Sequence, residues 1–162
     1  MKRIGVLTGG GDCPGLNGAI RAVARTAMGG MGWEVVGFRN GWRGVMDRNV
    51  LELTTESVRG ILHRGGTILG SSGANPYLEG GIDRIRATLH DLDVEGLIAI
   101  GGEGTLGAAA KMTEDEIMVL GIPMTMISSS PAPTTASGST PPSRSPRTRS
   151  TACTAPRRAT TA

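Results

Sequence analysis

Two glycine-rich stretches carry the residue types that handle phosphate. The first reads Thr8-Gly9-Gly10-Gly11-Asp12-Cys13-Pro14-Gly15 and the second Gly101-Gly102-Glu103-Gly104-Thr105. Each follows an apolar run and precedes a helical pattern. Glycines at such a junction let backbone N–H groups approach phosphate oxygens, and a helix N-terminus favours negative charge. No lysine follows the first stretch, so it is not a P-loop. After Gly9-x-Gly11 the next glycine is Gly15, which is not the dinucleotide-binding spacing and counts against a dehydrogenase half. A tight strand-to-helix connection is the other reading of this stretch. Glu103 is the single acid of the second. A carboxylate beside phosphate-binding amides calls for a cation between them, and Mg²⁺ with oxygen ligands suits that place. An acid that only complements a helix dipole would look the same.

The elements that must position these stretches follow from hydrophobic period. Lys2–Leu7 reads as a buried strand, and Leu16–Met28 as a helix with Ile20, Val23, Ala24 and Ala27 inward, ended by Gly29, Gly30 and Gly32. Glu34–Phe38 is a second strand, followed by a turn at Asn40-Gly41. Glu56–Leu62 is a short helix with Val58, Ile61 and Leu62 on one side, and Gly65–Pro76 is a loop. Ile82–Leu92 is a helix, Val94–Ile100 a very apolar strand, Leu106–Met112 the start of another helix and Ile117–Pro123 the last strand. This alternation predicts an α/β fold, a parallel Rossmann-like sheet flanked by helices. Ligands in such sheets sit at the carboxyl ends of strands, where both glycine stretches fall.

Composition narrows the function classes. The chain has 162 residues and a formal net charge of +3. All 14 acids lie in residues 1–127 with 12 of the 17 Lys+Arg, giving −2, while residues 128–162 hold five Arg and no acid. The basic balance therefore comes from the tail, and the body offers no basic face for nucleic acid. No apolar run reaches the roughly 18–20 residues of a membrane span, and the N-terminus has no signal-peptide core. Cys13 and Cys153 make neither a disulfide framework nor a metal quartet. The expectation is a cytoplasmic protein.

Four motifs taken together resemble a known family: TGGGDCPGLNGAIRAVAR at 8–25, GFRNGWRG at 37–44, RGGTILGSS at 64–72 and IAIGGEGT at 98–105. They are similar, collinearly over about residues 1–125, to the N-terminal half of bacterial ATP-dependent 6-phosphofructokinase of the high-GC Gram-positive type. The resemblance implies transfer of the ATP γ-phosphate to the 1-hydroxyl of fructose 6-phosphate, with an aspartate taking the hydroxyl proton. It implies ATP contacts at Gly11, Gly102, Glu103, Gly104 and Thr105, Mg²⁺ at Glu103, and an aromatic near the adenine at Trp42. Glycine at position 104 goes with ATP, because an aspartate there occupies the α-phosphate site and favours pyrophosphate. Arg21 and Arg25 match basic residues of an effector site between subunits of a homo-oligomer; solvated helix arginines are the plainer reading.

Two departures stand out. Gly73 occupies a position where the family has an arginine reaching toward the transferred phosphate. After Gly121-Ile122-Pro123 the family carries its catalytic aspartate, whereas this chain reads Met124-Thr125-Met126-Ile127-Ser128-Ser129, with no carboxylate after Glu116. No catalytic residue is therefore assigned in this chain. Residues 1–127 are read as an incomplete ATP-binding domain, and 128–162 as a disordered Ser/Thr/Pro/Ala/Arg tail. Every residue from Ser128 to Ala162 has a codon with C or G in the middle. That is the signature of a GC-rich gene translated one base out of frame. Read back into the other frame, the residue classes from Ser130 onward match the family's next segment, while Met124–Ser129 does not decode. The expectation is an inactive fragment, or else a non-catalytic nucleotide-binding module.

Overall fold

The computed structural model describes residues 2–78 and 80–124; the predicted tail, 128–162, lies outside the described residues. Five strands form one sheet: β1 (Arg3–Gly9), β2 (Glu34–Phe38), β3 (Val50–Leu53), β4 (Gly96–Gly101) and β5 (Val119–Pro123). Their order is β3-β2-β1-β4-β5. β1 pairs in parallel with β2 and β4, and β4 in parallel with β5. Four α-helices connect them: α1 (Leu16–Arg25), α2 (Trp42–Met46), α3 (Ile82–Asp91) and α4 (Glu103–Glu114).

The sheet is covered on both faces, which is why its central strands are apolar without a polar alternate. Successive side chains of a strand point to opposite faces. Leu7, Phe38, Leu97 and Ala99 accordingly join the core beneath α2, α3 and α4, with Ile85, Leu89 and Met112. Val6, Val35 and Ile100 join the opposite core with Leu16, Ile20 and Ala24 of α1 and with Val58, Ile61 and Leu69.

Four expectations need correction. The sheet is not wholly parallel: β3 runs antiparallel to β2, with Val35 opposite Leu53 and Phe38 opposite Val50. Only a short helix, α2, separates these strands, and a connection that short permits antiparallel pairing alone. Glu56–Leu62 is not a helix. Thr54 and Ser57 bond each other's backbone N–H through their hydroxyls, a helix-start arrangement, but Gly60 at φ +70° takes the chain out of the helical region. Val58 and Ile61 are still buried, whereas Leu62 is exposed. Finally, α4 begins at Glu103, three residues earlier than its apolar pattern suggested. The helix predicted to Met28 runs as α-helix to Arg25 and then widens into a π turn, Thr26–Gly30, in which the Ala27 carbonyl receives the N–H groups of Met31 and Trp33.

At the carboxyl edge, Gly9 of β1 stands opposite Gly101 of β4. A Cβ on Gly101 would lie 2.5 Å from the Gly9 carbonyl oxygen, and one on Gly9 would lie 2.5 Å from Thr105 Oγ1. No side chain fits at either position. Gly101→Ala is expected to lower stability by about 1–3 kcal/mol through overpacking against backbone. Gly104→Ala, where a Cβ would meet nothing within 4 Å, is expected to be neutral or slightly stabilising. Urea unfolding of the two variants checks the contrast; equal midpoints would show that the strand ends are not so close.

Tyr77 ties the loop before α3 to the end of α4. Its hydroxyl donates to Asp115 at 2.8 Å, and Lys111 lies over its ring. Burial first, then the hydrogen bond to Asp115 and that residue's charge, push the phenol from 10.0 up to about 12. The folded chain thus keeps a proton that the unfolded chain releases. Its contribution to stability is fully present below pH 10 and is lost as pH rises through about 12. Tyr77→Phe should flatten this decline, so the stability gap between wild type and variant should narrow from pH 9 to 12. A gap independent of pH would overturn the assignment.

Candidate functional site

The register of β1 and β4 places both glycine stretches at one sheet edge. Gly10, at φ +83°, turns the chain out of β1, and a Cβ there would lie 3.7 Å from Thr105 Oγ1 and 3.9 Å from the Gly102 amide nitrogen. The two stretches therefore touch. From them α1 and α4 lead away, and neither has a side-chain N-cap: Gly15 and Gly102 hold the cap positions. The first amides of a helix have no intrahelical acceptor. Those of Glu103, Gly104 and Thr105 stand at the start of a 12-residue helix and on the wall of a cavity. A helix dipole adds positive potential at that end.

This cavity has a volume of about 330 Å³ and is lined by Gly10, Gly11, Trp42, Ser72–Asn75 and Gly102–Thr105. It brings together every predicted ATP contact: Gly11, Trp42, Gly102, Glu103, Gly104 and Thr105. Gly73 also lines it, and a Cβ on that residue would meet nothing within 4 Å. Ser72, Ala74 and Asn75 were not singled out from the sequence. Their signal was the RGGTILGSS motif itself, whose end runs directly into this wall.

Trp42 is a core residue, 2% exposed, packed with Leu7, Phe38 and Val45, and only part of it reaches the cavity. Its Nε1 is the one buried side-chain polar atom among the described residues without a hydrogen-bond partner. Arg21 and Arg25 do not line the cavity. They lie along α1, Arg21 half-buried and Arg25 exposed, with no ion pair among the described residues.

The lining is poor in charge. Among the described residues that line it there is no Lys or Arg, and Glu103 is the only charged side chain. Backbone amides at the start of α4 are the donors it offers to an anion. Among the described residues no group of three or more His, Cys, Asp or Glu could hold a metal ion on its own. One exposed carboxylate next to helix-start amides fits the kind of Mg²⁺ that arrives with a phosphate ligand and keeps several waters. No helix among the described residues is long and apolar enough to cross a membrane.

Comparison with known proteins agrees with this geometry. Over 125 residues the chain is 59% identical to a pyrophosphate–fructose 6-phosphate 1-phosphotransferase of Amycolatopsis methanolica, covering 76% of this chain and 37% of that one. It is 49% identical, with the same coverage, to ATP-dependent 6-phosphofructokinase 3 of Streptomyces coelicolor. The chain thus spans little more than a third of the length of the curated relatives it matches. Among solved structures it superposes on phosphofructokinase from Saccharomyces cerevisiae with a TM-score of 0.70 and 27% identity, covering 76% of this chain and 20% of that one. The phosphofructokinase family model matches residues 3–136. With the sheet, the paired glycine turns and the sequence in agreement, the chain belongs to the phosphofructokinase family.

Proposed function

We propose that this chain forms the phosphoryl-donor half of a 6-phosphofructokinase and binds ATP with Mg²⁺ in the cavity between the two glycine turns. The observation that carries this reading is the lining: helix-start amides on one wall and, among the described residues, no basic side chain and a single carboxylate, Glu103. Amides suit phosphate oxygens, and the carboxylate suits a cation that travels with them. Mg²⁺, when bound, would neutralise charge on the donor phosphates during in-line transfer. The chain's own residues bind and orient. Gly10 and Gly11 let the backbone approach, Gly102 opens α4, and Glu103 faces the cation. Gly104 leaves open space where a nucleotide's α-phosphate would sit, which favours ATP over pyrophosphate.

The acceptor is fructose 6-phosphate, whose 1-hydroxyl must lose a proton to a base. In the family that base is an aspartate in the segment after Thr125. At that position this chain reads Met126-Ile127-Ser128-Ser129, without a carboxylate. We therefore expect it to bind donor without turning it over, since general-base help alone is worth about 10²–10⁴-fold. Arg21 and Arg25, both without an ion pair among the described residues, serve an effector anion in the assembled homo-oligomer.

Calorimetric titration of the chain with ATP and with pyrophosphate, each with and without Mg²⁺, tests the reading. ATP should bind only with Mg²⁺, and Glu103→Gln should weaken it about tenfold, the loss of one charge-assisted contact. Gly104→Asp should weaken ATP more than pyrophosphate. Gly73→Arg should tighten both by adding a guanidinium to a lining that has none. Tighter binding of pyrophosphate than ATP by the unmodified chain would reverse the donor assignment. Binding indifferent to Glu103→Gln would remove the carboxylate from the site.

A further inference from the structure

The third wall of the cavity, Ser72–Asn75, belongs to neither glycine turn. It is the end of a segment, 64–75, without helix or strand, and nothing in its glycine-rich sequence makes it rigid. Gly66 and Gly70 sit at φ +73° and +70°. Backbone of this kind needs partners for its polar groups, and much of what holds it comes from one residue. Asn17, in the first turn of α1, is 1% exposed. Its Nδ2 donates to the carbonyls of Arg64 at 3.0 Å and Gly65 at 3.4 Å. Its Oδ1 accepts the Ile68 N–H at 2.8 Å. Three of the four bonds an amide side chain can make thus go to one segment. Asn usually disrupts helix interiors by bonding its own helix; here the whole amide is turned away from α1 onto the segment.

A second clip continues the grip. Thr8, fully buried at the end of β1, donates its hydroxyl to the Gly70 carbonyl at 2.7 Å. Its single proton used, it accepts from the Thr67 hydroxyl at 2.9 Å. The Thr67 oxygen in turn accepts the Leu69 N–H at 3.1 Å. The segment then reaches the site: the Ser72 carbonyl accepts the Gly10 N–H at 3.4 Å, and the Ser72 hydroxyl donates to the Asn40 carbonyl at 2.6 Å.

We propose that Asn17 is a positioning residue for the donor site: it holds segment 64–70 against the start of α1 and so sets where Ser72 and Gly73 stand in the cavity. It touches no ligand itself. The inference rests on the donor-binding reading above and adds to it the residue that holds the cavity's third wall in place.

The test uses the full chain and two variants. Asn17→Asp keeps the shape and the acceptor for Ile68 but replaces the donor with a carboxylate facing two carbonyls. Thr67→Val leaves Asn17 and the Thr8–Gly70 bond intact and removes the Thr8–Thr67 and Leu69–Thr67 bonds of the second clip, so the segment is probed even if the first variant fails to fold. Hydrogen exchange of the ligand-free chain reads segment order, and calorimetry with MgATP and with magnesium pyrophosphate reads the site. The expected result is faster exchange at Ile68–Ser72, unchanged exchange in β1 and β4, and about tenfold weaker binding, the equivalent of one net hydrogen bond. Asn17→Gln, which keeps both amide functions, should recover part of that loss. Faster exchange in the segment with unchanged affinity would overturn the proposal, as would exchange rising equally throughout the sheet, which marks a merely structural role. Failure of the unmodified chain to bind either ligand would overturn the donor-binding reading instead, and unaltered segment exchange in both variants would then overturn the clamp as well.

Discussion

Two strands of this sheet end without side chains, directly opposite each other, and the site exists because they do. Gly9 and Gly101 are register partners, and their backbones approach so closely that a methyl group on Gly101 would strike the Gly9 carbonyl. Thr105, buried at the start of α4, fills the space against both. This close approach brings two chain turns within contact of one another at a single point of the edge. Two helices then leave from there with their amide ends uncapped by side chains. A larger residue at either strand end would part the turns and dissolve the cavity between them. In the proposed donor reading, phosphate recognition by amides would depend on that convergence, since one charge-assisted bond contributes only about 1.5–3 kcal/mol and several must act together.

The remaining wall is held by a different kind of force. Most of the domain is stabilised by two apolar layers, one on each face of the sheet. Segment 64–75 contributes only Leu69 to the fully buried core, and its course over the sheet edge is set by hydroxyls and an amide. Apolar packing is non-directional and tolerates small shifts, whereas hydrogen bonds fix position and angle. A wall that must stand at a defined distance from the helix-start amides across the cavity is better placed by the second than by the first.

What could be read in advance follows the same division. β1, β2 and β4 were legible because burial on both faces makes them unbroken apolar runs. α1 and α3 were legible because they show one buried stripe with a period near 3.6 residues. β3 was missed: it is four residues long, sits at the sheet edge, and has exposed Val50 and Glu52, so it carries little apolar signal. Glu56–Leu62 has a helical period, but Gly60 decides its backbone locally. α4 begins on Glu103 and Gly104, which carry no apolar pattern, so its start was placed too late. Of the site, the glycine residues were legible because so few backbone geometries need three glycines in a row. Ser72 and Asn75 were not, because their position is inherited from contacts made by Asn17, Thr8 and Asn40, tens of residues away in sequence.

Glu103 shows how two plain readings of one residue merge in three dimensions. It occupies the first turn of α4, where a carboxylate is favoured by the helix dipole, and it is exposed at the cavity. The same positive end favours an incoming phosphate. Acid and phosphate therefore compete for one potential, and two negative groups a few ångströms apart repel unless something lies between them. Among the described residues no Lys or Arg lines the cavity to do so. In the proposed donor reading, a divalent cation carried by the ligand would resolve the conflict, because it would bind both partners and leave the amides for the remaining phosphate oxygens. The acid that suits the helix end would then be the feature that makes such a site prefer a metal-bound polyphosphate over a bare one.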